Sequence, residues 1–573
     1  MESWKLSVIL SSLEARTSWG ELEALCYLIV DARQDKFPES LKQFVVVPKH
    51  LYHPIVTKRN FAPMQQKAAI IGSGMAGLAA AIRLGVQGYA VTVFEANGYP
   101  GGKVTELRAK GYRFDAGPSL FTLPQLVDEL FTLADKDPRQ YFQYKQLPVI
   151  TKYFYPDGTI INAYKEPIDF AQEIQQQTGE PAESVMRFLA KSKELYDLTA
   201  HIFLFASLHQ WSTYLNLKAL KTSLKLHKLD AFRSVDKANR GWFMDARVVQ
   251  LFNRYATYNG SDPYQAPATL NIIPHLEHNI GAYLAEGGMH SVTKALYQLA
   301  LEVGVTFEFG AAVTKIVTEG KRAVGVELKY EARGTKDDCI EGVNEKNNFR
   351  SGYDIIVSNM DVVNTYRKLL PDLKEPTRIT HQPRSSSAMI FYWGIKKQFP
   401  KLDVHNILFA KDYPAEFKAL FTEGTVYNDP TTYLYISSKE NPTDAPEGCE
   451  NWFVMVNAPN NTGQDWESLR QTTRKNILAK LKAKLGEDIE PLIETEDVLD
   501  PVLIEQRTSS YQGSLYGSSS NNMFAAFMRH ANYSSQLNNL YFCGGSAHPG
   551  GGIPLCLLSG RIVADLVKRR SQP

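Results

Sequence analysis

The chain has 573 residues, 44% of them hydrophobic and 11% aromatic, with a formal net charge of +2. That length is more than one simple core holds, so two or more lobes are expected. The near-neutral balance offers no basic footprint for a polyanion, which excludes nucleic acid as a partner.

Residues 1–63 carry no motif. They are expected to be either a mis-called upstream extension or a genuine appended segment, because Met64 stands just before the first strand. Glu2 and the short apolar run from Leu6 to Leu10 make a poor signal peptide. No apolar run approaches the ~20 residues that a membrane-spanning helix needs. The five cysteines are scattered and contain no CxxC, so neither a disulfide framework nor a zinc site is expected, and a reducing cytoplasm fits.

Residues 67 to 103 carry the clearest signal. An apolar strand, Ala68 to Ile71, runs into Gly72-x-Gly74-x-x-Gly77. An alanine-rich helix follows, then a second strand, Val91 to Phe94, that ends in Glu95. Gly72 allows the tight turn, Gly74 lets backbone approach a pyrophosphate, and Gly77 lets the helix lie close on the sheet. The helix N-terminus offers free N–H groups and a positive dipole end to phosphates. Glu95 stands about 20 residues on, where an acid can hydrogen-bond ribose hydroxyls. Gly101, Gly102 and Lys103 close the unit. The pattern predicts a Rossmann-type dinucleotide site.

Farther along, Gly117 and Pro118 force a turn after Phe114. Residues 125–278 read as helix-rich and hold no nucleotide signature. Residues 281–361 return to α/β patterning: a Gly287-Gly288 turn, a helix from Ser291 to Val303, and strands at Val305–Phe309, Val313–Val317 and Tyr353–Val357. Lys336 to Arg350 reads as a charged insertion, a solvated hairpin. Strand-like segments at Ser387–Ile395 and Trp452–Val456 follow. A last strand, Leu540 to Cys543, leads into a glycine–proline loop and a helix from Pro554 to Lys568.

Four blocks in this order resemble the bacterial-type phytoene desaturase family of carotenoid desaturases. They are Gly72 to Lys103, Phe114 to Leu120 (FDAGPSL), Glu286 to Met289 through Ser358 to Asp361, and Gly544 to Pro554 (GGSAHPGGGIP). The resemblance spans residues 66–570. Ser546 and Ala547 stand where phytoene desaturases usually carry Gly-Thr. With Tyr392 to Gly394 and Glu450 to Phe453, this looks more like the 1-hydroxycarotenoid 3,4-desaturase branch. Phytoene or neurosporene desaturation, and a ketolase, oxygenase, isomerase or saturase on the same scaffold, stay open. So does a flavin-free lipid-group carrier of the GDP-dissociation-inhibitor type, although that class lacks an intact FAD fingerprint.

The resemblance implies an amine-oxidase-like α/β fold. Its discontinuous FAD-binding, Rossmann-like domain would take residues 64–124, 279–371 and 501–573, and an inserted α+β substrate domain 125–278 and 372–500. The cofactor is expected to be FAD, with oxygen or a quinone as final acceptor. Gly72, Gly74, Met75, Ala76 and Gly77 should meet the pyrophosphate, Glu95 with Ala96 the adenosine ribose, and Val313 the adenine. Gly102, Lys103 and Val104 should pass the ribityl-phosphate, with Gly117, Pro118 and Ser119 also at the cofactor. Gly544, Gly545, Gly551, Gly552, Ile553 and Pro554 should wrap the flavin ring. Lys103 stands where the family often has Arg, so the charge is kept without the bidentate fork. His548 is the candidate base, the alternative being a structural or flavin-positioning role. No metal site is expected; His275 and His278 match no zinc spacing.

A carotenoid substrate implies a membrane-facing mouth. The run from His201 to Lys228 carries Phe203, Phe205, Trp211 and Tyr214 among leucines, with Lys218, Lys221, Lys225 and Lys228 and no acid from Trp211 onward. Such a helix suits an interface with anionic lipid, or else covers the substrate core with its lysines in water. Peripheral attachment to the inner membrane from the cytoplasmic side is expected.

Overall fold

The computed structural model describes residues 65–210, 213, 229–330, 348–521 and 528–571, which fall within one compact unit, Gln65–Pro573. The expectations for residues 1–63 and for most of the Lys336–Arg350 insertion lie outside the described residues.

A five-stranded sheet organises one lobe. Its order is Thr306–Phe309, Ala90–Glu95, Lys67–Ile71, Ile355–Ser358 and Leu540–Phe542, all parallel. Parallel neighbours need long crossovers, and here they are supplied by segments far apart in the chain. Lys67–Ile71 sits centrally, so both its faces are buried, as its unbroken apolar run requires. Ala68 and Ile70 point into a core with the helices Met75–Val86, Met289–Glu302 and Ile553–Ser571. Ala69 and Ile71 point the other way, into a core with Ile316, Val326 and Leu328 of a three-stranded antiparallel sheet. That sheet pairs Ala311–Glu319, Arg322–Tyr330 and Phe349–Ser351.

A seven-stranded sheet organises the second lobe. Its order is Ile493–Leu499, Ser387–Ile395, Glu450–Ala458, Thr432–Tyr435, His405–Leu408, Val149–Phe154 and Ile160–Tyr164. Trp393 lies opposite Trp452 across one pair, and both are fully buried beneath the helix Trp466–Leu485. The helix-rich expectation for residues 125–278 missed the Val149–Tyr164 hairpin, which joins this sheet. Its turn carries Asp157-Gly158, with Gly158 at φ +94° and the Asp157 carboxylate accepting from the Thr159 N–H at 2.9 Å. Asp-Gly between alternating apolar residues is a hairpin signal. The helices Pro167–Thr178, Ala182–Phe203 and Ala246–Asn253 then pack in a core with Tyr153, Tyr155 and Phe409. None of the helices in the described residues is long and apolar enough to cross a membrane.

Candidate functional site

The glycine loop takes its shape from sterics. Gly72 has φ +91°, where a side chain is strained. A Cβ on Gly77 would lie 2.1 Å from the Gly72 carbonyl oxygen, so the helix can sit this close only with glycine there. The helix Met75–Val86 begins at Gly74 with no side-chain cap, which leaves its positive end for a ligand. Glu95 is buried at the end of its strand. One carboxylate oxygen accepts from the Ser73 N–H and hydroxyl, both at 2.7 Å, and the other from the Asn97 N–H at 2.9 Å and side-chain amide at 2.8 Å. These bonds fix the carboxylate at the cavity wall.

One cavity of ≈780 Å³ brings together segments from Ile71 to Cys556. Its wall includes Gly72, Gly74, Met75, Ala76, Glu95, Ala96, Gly102, Lys103 and Val104, then Gly117, Pro118, Ser119 and Val313. Gly544, Gly545, Gly551, Gly552, Ile553, Pro554 and His548 line it from the other end of the sequence. Gly77 does not reach the cavity and lies beneath the loop.

Lys103 is half-buried, and its ammonium donates to the carbonyls of Ser514 (3.0 Å) and Leu515 (2.9 Å). Burial pulls its pKa down to about 8, with Asp361 opposing the shift. A Cβ on Gly117 would fall 1.8 Å from the Lys103 carbonyl oxygen, so the second block is seated on the first by glycine. His548 is buried, and its Nε2–H donates to the Ala206 carbonyl at 2.8 Å. Burial lowers its pKa to about 4, so it is neutral at pH 7.

Asn359 is a site residue that the sequence reading quoted but did not select. Its side-chain amide donates to the Gly72 carbonyl at 3.2 Å. A Cβ on Gly74 or Gly544 would come within 2.9 or 2.8 Å of the same side chain. Asn359 therefore clamps the first glycine loop to the last. The Gly287-Gly288 turn accommodates a buried ion pair. Gly288, at φ +81°, makes room for the Arg113 guanidinium, which bridges Glu106, Asp115 and Asp444 in the interior.

Beyond the glycine-rich part the cavity becomes apolar, walled by Phe203, Leu204, Leu208, Leu270, Ile273 and Leu276. Phe205 packs against the neighbouring core instead. Trp211, Tyr214, Lys218, Lys221, Lys225 and Lys228 lie outside the described residues. The same cavity is also lined by Arg254, Tyr258, His405, Tyr433 and Ser119. Arg254 is buried with Glu277 (3.4 Å) beneath the rings of Tyr153, Tyr255 and Tyr258. Burial would raise the Glu277 pKa, but Arg254, His278 and two tyrosine hydroxyls pull it below the usual carboxylate value.

The wall fits a flavin dinucleotide. It offers an uncapped helix end and a fixed acid, and at Gly552 (φ +102°) a Cβ would meet nothing within 4 Å. The buried Ser514 hydroxyl, also in the wall, has no partner in the protein. The model for flavin-containing amine oxidoreductases matches residues 75–568. The chain belongs to that family. Within it, the chain is 49% identical over 502 residues to the 1-hydroxycarotenoid 3,4-desaturase of Flavobacterium sp. (strain P99-3), covering 88% of this chain and 99% of that one. It is 32% identical to the 4,4'-diapolycopene oxygenase of Methylomonas sp., covering 88% and 98%. It is 31% identical to the 4,4'-diaponeurosporene oxygenase of Staphylococcus haemolyticus, covering 88% and 97%. Within that family the chain thus sits among carotenoid desaturases and oxygenases, and its cofactor is FAD. Solved structures share the fold: a redesigned putrescine oxidase at TM-score 0.58 and 14% identity, covering 88% and 99%, and the cyclohexylamine oxidase of Brevibacterium oxydans at 0.55 and 15%, covering 89% and 100%.

Proposed function

We propose that this protein is an FAD-dependent desaturase of an acyclic 1-hydroxycarotenoid, oxidising the 3,4 bond, and that it works from a membrane surface. One observation carries the reading: a single cavity runs from the glycine-lined cradle into an apolar chamber between the lobes' sheets and helices. The identity with the Flavobacterium desaturase over nearly its whole length supports the substrate class.

FAD, when bound, supplies the hydride acceptor that no side chain can be. The chain binds and orients the reactants, and the proton lost from the neighbouring carbon would pass to a weak base or to solvent. The open helix end at Gly74, Met75 and Ala76 would hold the pyrophosphate, and the pre-oriented Glu95 the adenosine ribose. Val313 would meet adenine, with Ala96 beside the ribose. Gly102, Lys103 and Val104 would flank the ribityl-phosphate, with Gly117, Pro118 and Ser119 beside it. The Gly544–Pro554 loop would close over the ring. The leucine and isoleucine walls align a long polyene and keep water from the oxidised carbon. His548 spends its Nε2 proton on Ala206 and is weakly basic, which favours a positioning role for it. It ties the last glycine loop to residue 206, at the chamber's edge. Electrons would pass on to oxygen or a quinone.

Membrane attachment has its own support. Phe232 and Met244 are 91% and 85% exposed, on turns brought together where a Gly241 Cβ would lie 3.6 Å from the Arg233 guanidinium. Exposed apolar side chains suit a lipid surface, with Lys237 beside them and Arg233 and Arg240 paired to Asp230 and Asp236. Expression in strains accumulating phytoene, lycopene or a 1-hydroxycarotenoid, followed by separation of the pigments, tests the whole reading. Conversion of the hydroxylated pigment is expected, and conversion of phytoene alone refutes it.

A further inference from the structure

Ser119, Tyr433 and His405 form a hydrogen-bonded row in the cavity wall, drawn from segments far apart in the chain. The Tyr433 hydroxyl is 2.6 Å from the Ser119 hydroxyl and 2.7 Å from His405 Nδ1. The His405 ring stacks on Tyr435 at 4.9 Å and 11°, which holds it in place. His405 is only 1% exposed and lines the cavity, yet its Nε2 has no hydrogen-bond partner in the protein. A buried polar nitrogen without a partner is costly, and native proteins keep few of them. Among the described residues no group stands within hydrogen-bond distance of this nitrogen, and the Arg254–Glu277 pair acts on the ring only at longer range.

We infer that His405 Nε2, set by Tyr433 and Ser119, hydrogen-bonds the tertiary hydroxyl of the substrate and selects the hydroxylated carotenoid end over a hydrocarbon end. The inference rests on the proposed desaturase reading and specifies its selectivity. The protonation logic suits an alcohol. If Tyr433 donates to Nδ1, then Nε2–H is the free donor. If Nδ1–H donates to Tyr433, then Nε2 is the free acceptor. A hydroxyl is both donor and acceptor, so it satisfies either tautomer. A hydrocarbon end satisfies neither and leaves the nitrogen stranded, the situation in which enzymes discriminate most strongly.

Position agrees with chemistry. In a 1-hydroxycarotenoid only C2 separates the carbinol carbon from the 3,4 bond, so its recogniser must stand close to where oxidation occurs. The row starts at Ser119, two residues beyond Gly117, which is seated against Lys103. It is therefore anchored in the segment proposed to flank the cofactor and not at a remote end of the chamber.

The test uses the full-length, FAD-loaded protein with liposome-borne acyclic carotenoids of equal polyene length, with and without the 1-hydroxyl. Wild type should favour the hydroxylated pigment in kcat/KM by about 10- to 100-fold. His405→Leu should collapse that preference to within about threefold by losing rate on the hydroxylated pigment. His405→Gln, which can still donate and accept, should restore most of it. Tyr433→Phe should weaken the preference without abolishing it. Flavin absorbance reports folding, and if His405→Leu fails to hold flavin, the other two variants decide. A wild-type preference that survives in His405→Leu, or equal losses on both pigments, overturns the histidine assignment and leaves the desaturase reading standing. Wild type that ignores the hydroxylated pigment overturns the substrate reading, and this inference falls with it.

Discussion

Gly77→Ala is the sharpest probe of how the cradle is built. Alanine is the better helix former by about 1 kcal/mol, so propensity alone predicts stabilisation. Sterics predict the reverse. The new Cβ would sit 2.1 Å from the Gly72 carbonyl oxygen, about 0.9 Å inside the 3.0 Å floor that real Cβ atoms respect. The obstacle is backbone, and it is held. The Gly72 N–H donates to the Phe94 carbonyl at 2.8 Å, and its oxygen accepts from Asn359 at 3.2 Å. Relief must come from tilting the helix away, against Gly560, whose own Cβ would lie 2.7 Å from the Ala76 carbonyl oxygen. Overpacking of this kind costs about 1–3 kcal/mol or more. Set against the propensity gain, a net loss of up to about 2 kcal/mol would lower the melting temperature by only about 2 °C in a protein of this size. The same loss of about 2 kcal/mol placed on cofactor binding weakens it about 30-fold. Flavin retention after gel filtration is therefore the sensitive assay, with Gly98→Ala as control, since a Cβ there meets nothing within 4 Å. Gly77→Ala protein that keeps flavin and melts like wild type would refute the packing argument.

Glu277→Leu strands the buried Arg254 guanidinium, and a loss of about 3–5 kcal/mol is expected, read as a lowered Tm or insoluble protein; unchanged melting counts against the pair. Acid should destabilise the fold early. Burial lowers the pKa of His278, His530 and His548 to about 4 and of His405 to about 3. The unfolded chain takes up those protons near pH 6.5 while the folded one does not, so stability falls as pH drops from 6.5 towards 4. By pH 5 each histidine contributes a loss of about 2 kcal/mol, and denaturant midpoints that stay flat from pH 7 to 5 would contradict this. Phe232→Ser with Met244→Ser should cut co-sedimentation with anionic liposomes several-fold while flavin absorbance holds. Lys218→Glu with Lys225→Glu should act in the same direction, and unchanged sedimentation in both double variants removes the membrane proposal.

Much of the cofactor lobe could be read along the chain because its signals are local. Gly72, Gly74 and Gly77 lie within one turn of a helix, and Glu95 ends the adjacent strand. The buried parallel strands show as short apolar runs, and each strand in the five-stranded sheet falls within a residue or two of its expected place. The Val149–Tyr164 hairpin was equally local, marked by Asp157-Gly158, but its aromatic strands lay in a stretch dominated by helical patterning.

What could not be read depends on contacts across long separations. Asn359 meets Gly72 over 287 positions, and Ser119 meets Tyr433 over 314. A lone asparagine or histidine carries no periodicity and no spacing rule, so nothing in the chain marks it. Gly288 reads only as a turn glycine until Arg113 is found filling the space that a Cβ would take. The sequence by itself thus determined the glycine loop, the acid that ends the adjacent strand and, through four ordered blocks, the family, because each of these is carried by a short stretch of residues. Tertiary structure alone decided which side chains meet inside the chamber: His548 bonded to Ala206, and His405 left with one nitrogen free. Hydrogen-bond saturation is a property of packed neighbours, and neighbours are assigned only when the chain closes on itself.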